Sequence, residues 1–104
     1  LQAAADHALS AAWPAIREAP YAHVGLLEGL QSHLDAPELL IIRGTDPDLT
    51  AWRDAAAATY HPGRRVFAIP WTAPQLPPVL AGTAGREGQT LAYRCRGSQC
   101  EPPI

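Results

Sequence analysis

The sequence predicts an α/β fold: a small three-layer domain with about three mostly parallel strands, helices on both faces, and a helical hairpin in front of it. Three observations lead there. The first third carries apolar residues at helical spacing, Glu38–Gly44 is a continuous apolar run ended by glycine, and a capped helical segment separates that run from a second one at Arg65–Pro70. A strand, a helix and a strand in that order form a right-handed βαβ unit.

In the first third, Leu1, Ala5, Ala8, Leu9, Ala12 and Ile16 line one side of an alanine-rich helix. Pro14 lacks a backbone donor and is expected to kink or divide this helix near Ala12, whereas Pro20 suits the opening turn of the next. The second helix places Val24, Leu27, Leu30 and Leu34 together and stops before Asp35-Ala36-Pro37. Residues 1–36 therefore read as a helical hairpin, the end of an upstream helical domain, and 37–104 as a small α/β module.

Glu38-Leu39-Leu40-Ile41-Ile42-Arg43-Gly44 has the pattern of a central parallel strand covered on both faces. Asp46 is a candidate cap for the helix that follows, with Pro47 at its first position and Asp48 favourable to its dipole. That helix is expected to run to about Tyr60 with a stripe of Leu49, Trp52, Ala56, Thr59 and Tyr60, before His61-Pro62-Gly63 breaks it. The amino-terminal helices are expected on the opposite sheet face. After Trp71 the chain is rich in proline and glycine, with room for one short helix around Pro77–Ala81, and Gln89–Cys95 alternates like a third strand.

Composition excludes several classes of function. All eight basic residues are arginines, ten acidic residues oppose them, and the net charge is −2, which leaves no footprint for nucleic acid or an anionic membrane. The longest apolar run falls far short of the ~20 residues of a membrane span, and no basic segment precedes an apolar one at the start. The expected location is the cytoplasm. The chain starts at Leu1 and contains no methionine, so it is expected to be a piece cut from a longer protein.

Two places carry candidate chemistry. Cys95 and Cys100 flank Arg96-Gly97-Ser98-Gln99, and the central Gly97-Ser98 are turn residues that would let the sulfurs meet across a tight loop. Free thiols, a disulfide or redox pair, and a metal site all remain open. Zinc would need a second ligand pair, and a thioredoxin-type motif would have two intervening residues and open a helix. Gly44, Thr45 and Asp46 follow the first strand where open α/β sheets bind anions, and they form a weak ligand-binding candidate. They lack a GxGxxG or a lysine-bearing phosphate loop, and Asp46 and Asp48 oppose an anion. The histidines at 7, 23, 33 and 61 are scattered, and the serines have no triad spacing. No catalytic residue, metal site or cofactor is assigned. The segment Ile69–Pro78, with Trp71 and four prolines, is either core packing under a loop or a docking surface.

The order of these features resembles a known family. The segment Leu26-Leu27-Glu28-Gly29-Leu30, the strand Glu38–Gly44 followed by Asp46-Pro47, Leu80-Ala81-Gly82, and Thr90-Leu91-Ala92-Tyr93-Arg94-Cys95 with Cys100 and Pro102 are similar to the carboxy-terminal end of YyaL-type, spermatogenesis-associated thioredoxin-domain proteins. In that family a thioredoxin-like domain precedes a helical toroid similar to N-acylglucosamine 2-epimerases and six-hairpin glycosidases, and a small α/β module closes the chain. The resemblance implies a non-catalytic carboxy-terminal module with a packing or interaction role. Its partners would be the upstream domains of the same parent chain, with self-association of the fragment as the other candidate. The alternative function is a dithiol/disulfide role for Cys95 and Cys100, coupled to the parent's thioredoxin-like domain.

Overall fold

The computed structural model describes residues 2–104, with Val79 described by its backbone alone. The chain divides into two compact units, Leu1–Ala36 and Pro37–Ile104.

In the first unit, α1 (Gln2–Glu18) is followed by a 3-10 turn, Pro20–His23, and by α2 (Val24–Leu34). Of the kink or division expected near Ala12, the division does not occur: α1 is one helix with Pro14 inside it. Proline at this position removes a single i to i−4 hydrogen bond, and the alanine-rich flanks keep the surrounding turns helical. Pro20 does open a helical segment, but a 3-10 one. Of the stripe expected on α1, Ile16 is buried, Leu9 and Ala12 are half-buried, and Ala5 and Ala8 are exposed; Leu1 lies outside the described residues. On α2, Leu27 and Leu30 are half-buried while Val24 and Leu34 are exposed.

The second unit holds β1 (Glu38–Gly44), α3 (Asp48–Ala57), β2 (Arg64–Pro70), a 3-10 turn at Pro78–Leu80, β3 (Leu91–Arg96) and β4 (Gln99–Cys100). The four strands form one sheet in the order β2-β1-β3-β4. β1 is central and parallel to β2, but antiparallel to β3, which is antiparallel to β4. The sheet is thus mixed and four-stranded, correcting the expectation of about three mostly parallel strands. The cause lies in residues 71–90, which bring the chain to the free side of β1 without a second crossover helix, so that β3 runs back along it. The Gly97-Ser98 turn then adds β4: Gly97 has φ 61°, as required at the first central position of a tight hairpin turn.

Alternation divides the sheet into two apolar faces. Leu40 and Ile42 of β1 share one face with Val66, Ala68 and Ala92, and this face is covered by Leu49 and Ala56 of α3. Helix α3 ends at Ala57, short of the expected Tyr60; Trp52 is 39% and Tyr60 89% exposed, so neither belongs to the core stripe. The other face carries Leu39, Ile41, Ile69, Leu91, Tyr93 and Cys95, with Leu80 of the second 3-10 turn packed against them. Within this unit, Leu80 is the residue of the 71–90 segment that packs on the second face. Tyr93 fixes that segment by donating its hydroxyl to Ala84 O at 2.7 Å.

Candidate functional site

The carboxy-terminal hairpin brings Cys95 and Cys100 into direct register, and their sulfurs form a disulfide. The local sequence explains the placement. A two-residue turn makes Arg96 and Gln99 the flanking hydrogen-bonded pair, so the next pair, Cys95 and Cys100, falls at a non-hydrogen-bonded position where side chains stand closest; the Cα atoms are 4.0 Å apart. Glu101 N donates to Arg94 O at 2.8 Å and Ile104 N to Ala92 O at 3.0 Å, so the tail continues along β3. Pro102 and Pro103 have no amide to donate, which blunts this outer edge.

The two sulfurs differ in environment. Cys95 is 2% exposed and belongs to the cluster of Ile41 and Tyr93, whereas Cys100 is half-buried at its margin. Beside the bond a groove of about 300 Å³ is lined by Glu38, Arg94, Cys95, Arg96, Gln99, Cys100 and Glu101. Its charges are engaged: Arg94 Nη2 lies 2.7 Å from Glu101 Oε2, and Arg64 Nε donates to Glu38 Oε1 at 2.6 Å. Burial works against the Glu38 carboxylate, but the Arg64 hydrogen bond and the positive charges of Arg64, His61 and Arg94 outweigh it and hold its pKa below the ordinary glutamate value.

Gly44, Thr45 and Asp46 lie at the carboxyl end of β1, and their polar groups serve the start of α3. Leu49 N donates to Thr45 O at 3.0 Å, while Asp46 Oδ1 accepts both the Thr50 amide, at 3.1 Å, and the Thr50 hydroxyl. Asp46 thus acts as a cap from one residue before the helix boundary at Pro47. Gly44 O accepts from Trp71 N, and a Cβ at position 44 would lie 2.8 Å from Thr90 Oγ1. This corner is filled by the protein itself, and the disulfide is distant from it along the same strand pair, since Gly44 and the β3–β4 turn lie at opposite ends of β1.

One feature of this end is missed by reasoning from sequence. Arg43, taken there as part of an apolar run, is 2% exposed. Its guanidinium donates from Nε to Ile69 O (3.2 Å), from Nη1 to Thr83 O (2.8 Å), and from Nη2 to Pro70 O and Trp71 O (3.1 Å each). The only signal in the sequence is a charged residue inside an otherwise apolar strand, which demands partners when buried. Trp71 is half-buried and lies against Gly85, so part of the Ile69–Pro78 segment is packing.

The helical unit presents a groove of about 370 Å³ between α1 and α2, lined by Asp6, Leu9, Ser10, Trp13, Leu30 and His33. His33 Nε2 is 2.6 Å from Asp6 Oδ1 and links the two helices. Trp13 is 46% exposed. Among the described residues, no group of three His, Cys, Asp or Glu could hold a metal ion, and no helix is long and apolar enough to cross a membrane. Comparison with known proteins finds no matching family model, no matching curated protein and no matching solved structure.

Proposed function

We propose that this chain is a non-catalytic module of a larger protein, in which the small α/β unit accompanies a helical pair that docks on further helices of the same parent. One observation carries the reading: among the described residues of the first unit, Ile16 alone is buried, while Val24 and Leu34 are 63% and 76% exposed. Two helices of 17 and 11 residues that bury so little gain little against the entropy of ordering them, which supports a covering surface. The resemblance to the thioredoxin-domain family supplies that surface as the upstream helical toroid. Hydrogen exchange tests this directly. In the 104-residue chain the amides of 2–34 should exchange at least ~100-fold faster than those of β1, and should become protected in the longer parent. Equal protection of both units in a monomer by sedimentation would overturn the proposal.

The disulfide favours a second reading, in which Cys95 and Cys100 cycle between dithiol and disulfide in exchange with a thiol partner such as a thioredoxin-like domain. Two partner thiols would be oxidised to a disulfide as this one is reduced. Thiol counting after equilibration in glutathione buffers of graded potential tests it: a reversible transition within the cytosolic range supports the cycle, and a bond that stays closed throughout refutes it.

A further inference from the structure

We infer that Cys100 is the sulfur through which this disulfide is opened, making it the site of mixed-disulfide formation with an incoming thiolate. The inference rests on the reading of the pair as redox-active and assigns its chemistry to one atom. Thiol–disulfide exchange needs the attacking sulfur in line with the bond, behind the sulfur it attacks. Cys95 is 2% exposed and packed with Ile41 and Tyr93, which restricts the approach of an incoming thiolate to its sulfur. Cys100 is half-buried and lies on the two-residue outer strand; both cysteines border the groove of about 300 Å³ beside the bond, so it is the greater exposure of Cys100 that sets the two sulfurs apart.

An incoming thiolate forms a bond to Cys100 Sγ and the Cys95–Cys100 bond breaks, its electron pair leaving on Cys95 as a thiolate that takes a proton from solvent. A second thiolate then attacks the partner's sulfur in the mixed disulfide and releases Cys100, so two thiols are oxidised and one disulfide is reduced.

The ends of the strands make the assignment readable, because cleavage after Arg94 and Arg96 places Cys95 and Cys100 on different peptides. The oxidised chain is incubated with reduced glutathione, or in a parallel arm with a thioredoxin lacking its resolving cysteine, quenched in acid, unfolded, alkylated and mapped by mass spectrometry. The adduct is expected on Cys100 in at least ~tenfold excess in whichever arm reacts. An adduct on Cys95, or an even distribution, overturns the assignment while leaving the redox reading intact. A bond that neither arm opens overturns both. The single-cysteine variants Cys95→Ser and Cys100→Ser give an independent measurement: with an aromatic disulfide reagent, Cys100 in the first should react at least ~tenfold faster than Cys95 in the second. Equal rates in folded variants would sink the assignment.

Discussion

Replacing Arg43 by methionine removes a buried guanidinium while retaining most of its length and apolar stem. The four carbonyls it serves are backbone groups of Ile69, Pro70, Trp71 and Thr83, and they remain after the substitution. Thr83 is 0% exposed, so its carbonyl gains no direct access to water, and an orphaned buried acceptor costs about 1–3 kcal/mol. Ile69 and Trp71 are half-buried and Pro70 is exposed, so water can replace the arginine there at least in part, leaving a smaller loss for each. Against these losses stands the relief of no longer burying a charge without a carboxylate partner, which methionine converts into apolar contact. The balance is a destabilisation of about 3 kcal/mol, a large share of the ~5–15 kcal/mol that holds a typical domain together. For a unit of this size it corresponds to a fall in Tm of roughly 12–24 °C.

The assay is urea denaturation of the oxidised protein in a background where Trp13 and Trp52 are phenylalanine, so that Trp71, whose carbonyl Arg43 holds, reports alone. Arg43→Lys keeps the charge but offers its donors from a single point, and should fall between wild type and Arg43→Met. Stability of Arg43→Met within ~0.5 kcal/mol of wild type, at an unchanged denaturant slope, would refute the argument that the guanidinium fork pins residues 69–83 to β1.

Three further outcomes are expected. Gly85→Ala places a Cβ 2.7 Å from Trp71 Cβ and 2.8 Å from Trp71 Cα, so it should cost about 1–3 kcal/mol, whereas Gly82→Ala, with open space at its Cβ, should stay within ~0.5 kcal/mol in the same denaturation assay. Ile41→Ala, at a position that is 0% exposed, should cost about 2–5 kcal/mol and narrow the hydrogen-exchange protection of β1 and β3. Because the Glu38 pKa is lower folded than unfolded, its contribution is present above the ordinary glutamate value and is lost as pH falls through the depressed one; Glu38→Gln should flatten the acid limb of a stability–pH curve, and an unchanged limb would count against the Arg64 pairing.

The elements with strong local signals are those legible in the sequence. The unbroken apolar run gives β1 as the central strand, the run at Arg65–Pro70 gives β2, and Asp46-Pro47 announces α3. The direction of β3 is not encoded locally, since alternation from Leu91 to Cys95 fits a parallel or an antiparallel neighbour equally; it is decided by how residues 71–90 return. β4 is only two residues long, too short for any periodicity, and exists because a glycine at positive φ turns the chain there. The disulfide follows from that turn, which is why the spacing of the cysteines suggested proximity without deciding their state. Arg43 lay hidden because all four of its acceptors are 26 to 40 residues away in the chain, and no local pattern records them.

These two fastenings, the long-range Arg43 fork and the local disulfide, address the same physical difficulty at opposite ends of β1. Below ~70–80 residues a single core rarely contributes more than ~3–5 kcal/mol, and here the buried apolar residues form two small clusters, Ile41 with Tyr93 and Cys95, and Ile42 with Leu49 and Ala92. Arg43 orders the irregular segment that covers one of those clusters. The disulfide constrains the outer hairpin, and closing so short a loop is worth about 2 kcal/mol on the chain-entropy account. Opening it leaves the β1–β2 and β1–β3 ladders in place, so the loss falls first on β4 and the tail, which are then held by the Glu101 and Ile104 amides and the Arg94–Glu101 pair. Reduction should accordingly release the Glu101 and Ile104 amides to exchange well before β1 is affected, and loss of protection across the whole sheet at once would show instead that the bond holds the unit together as one cooperative body.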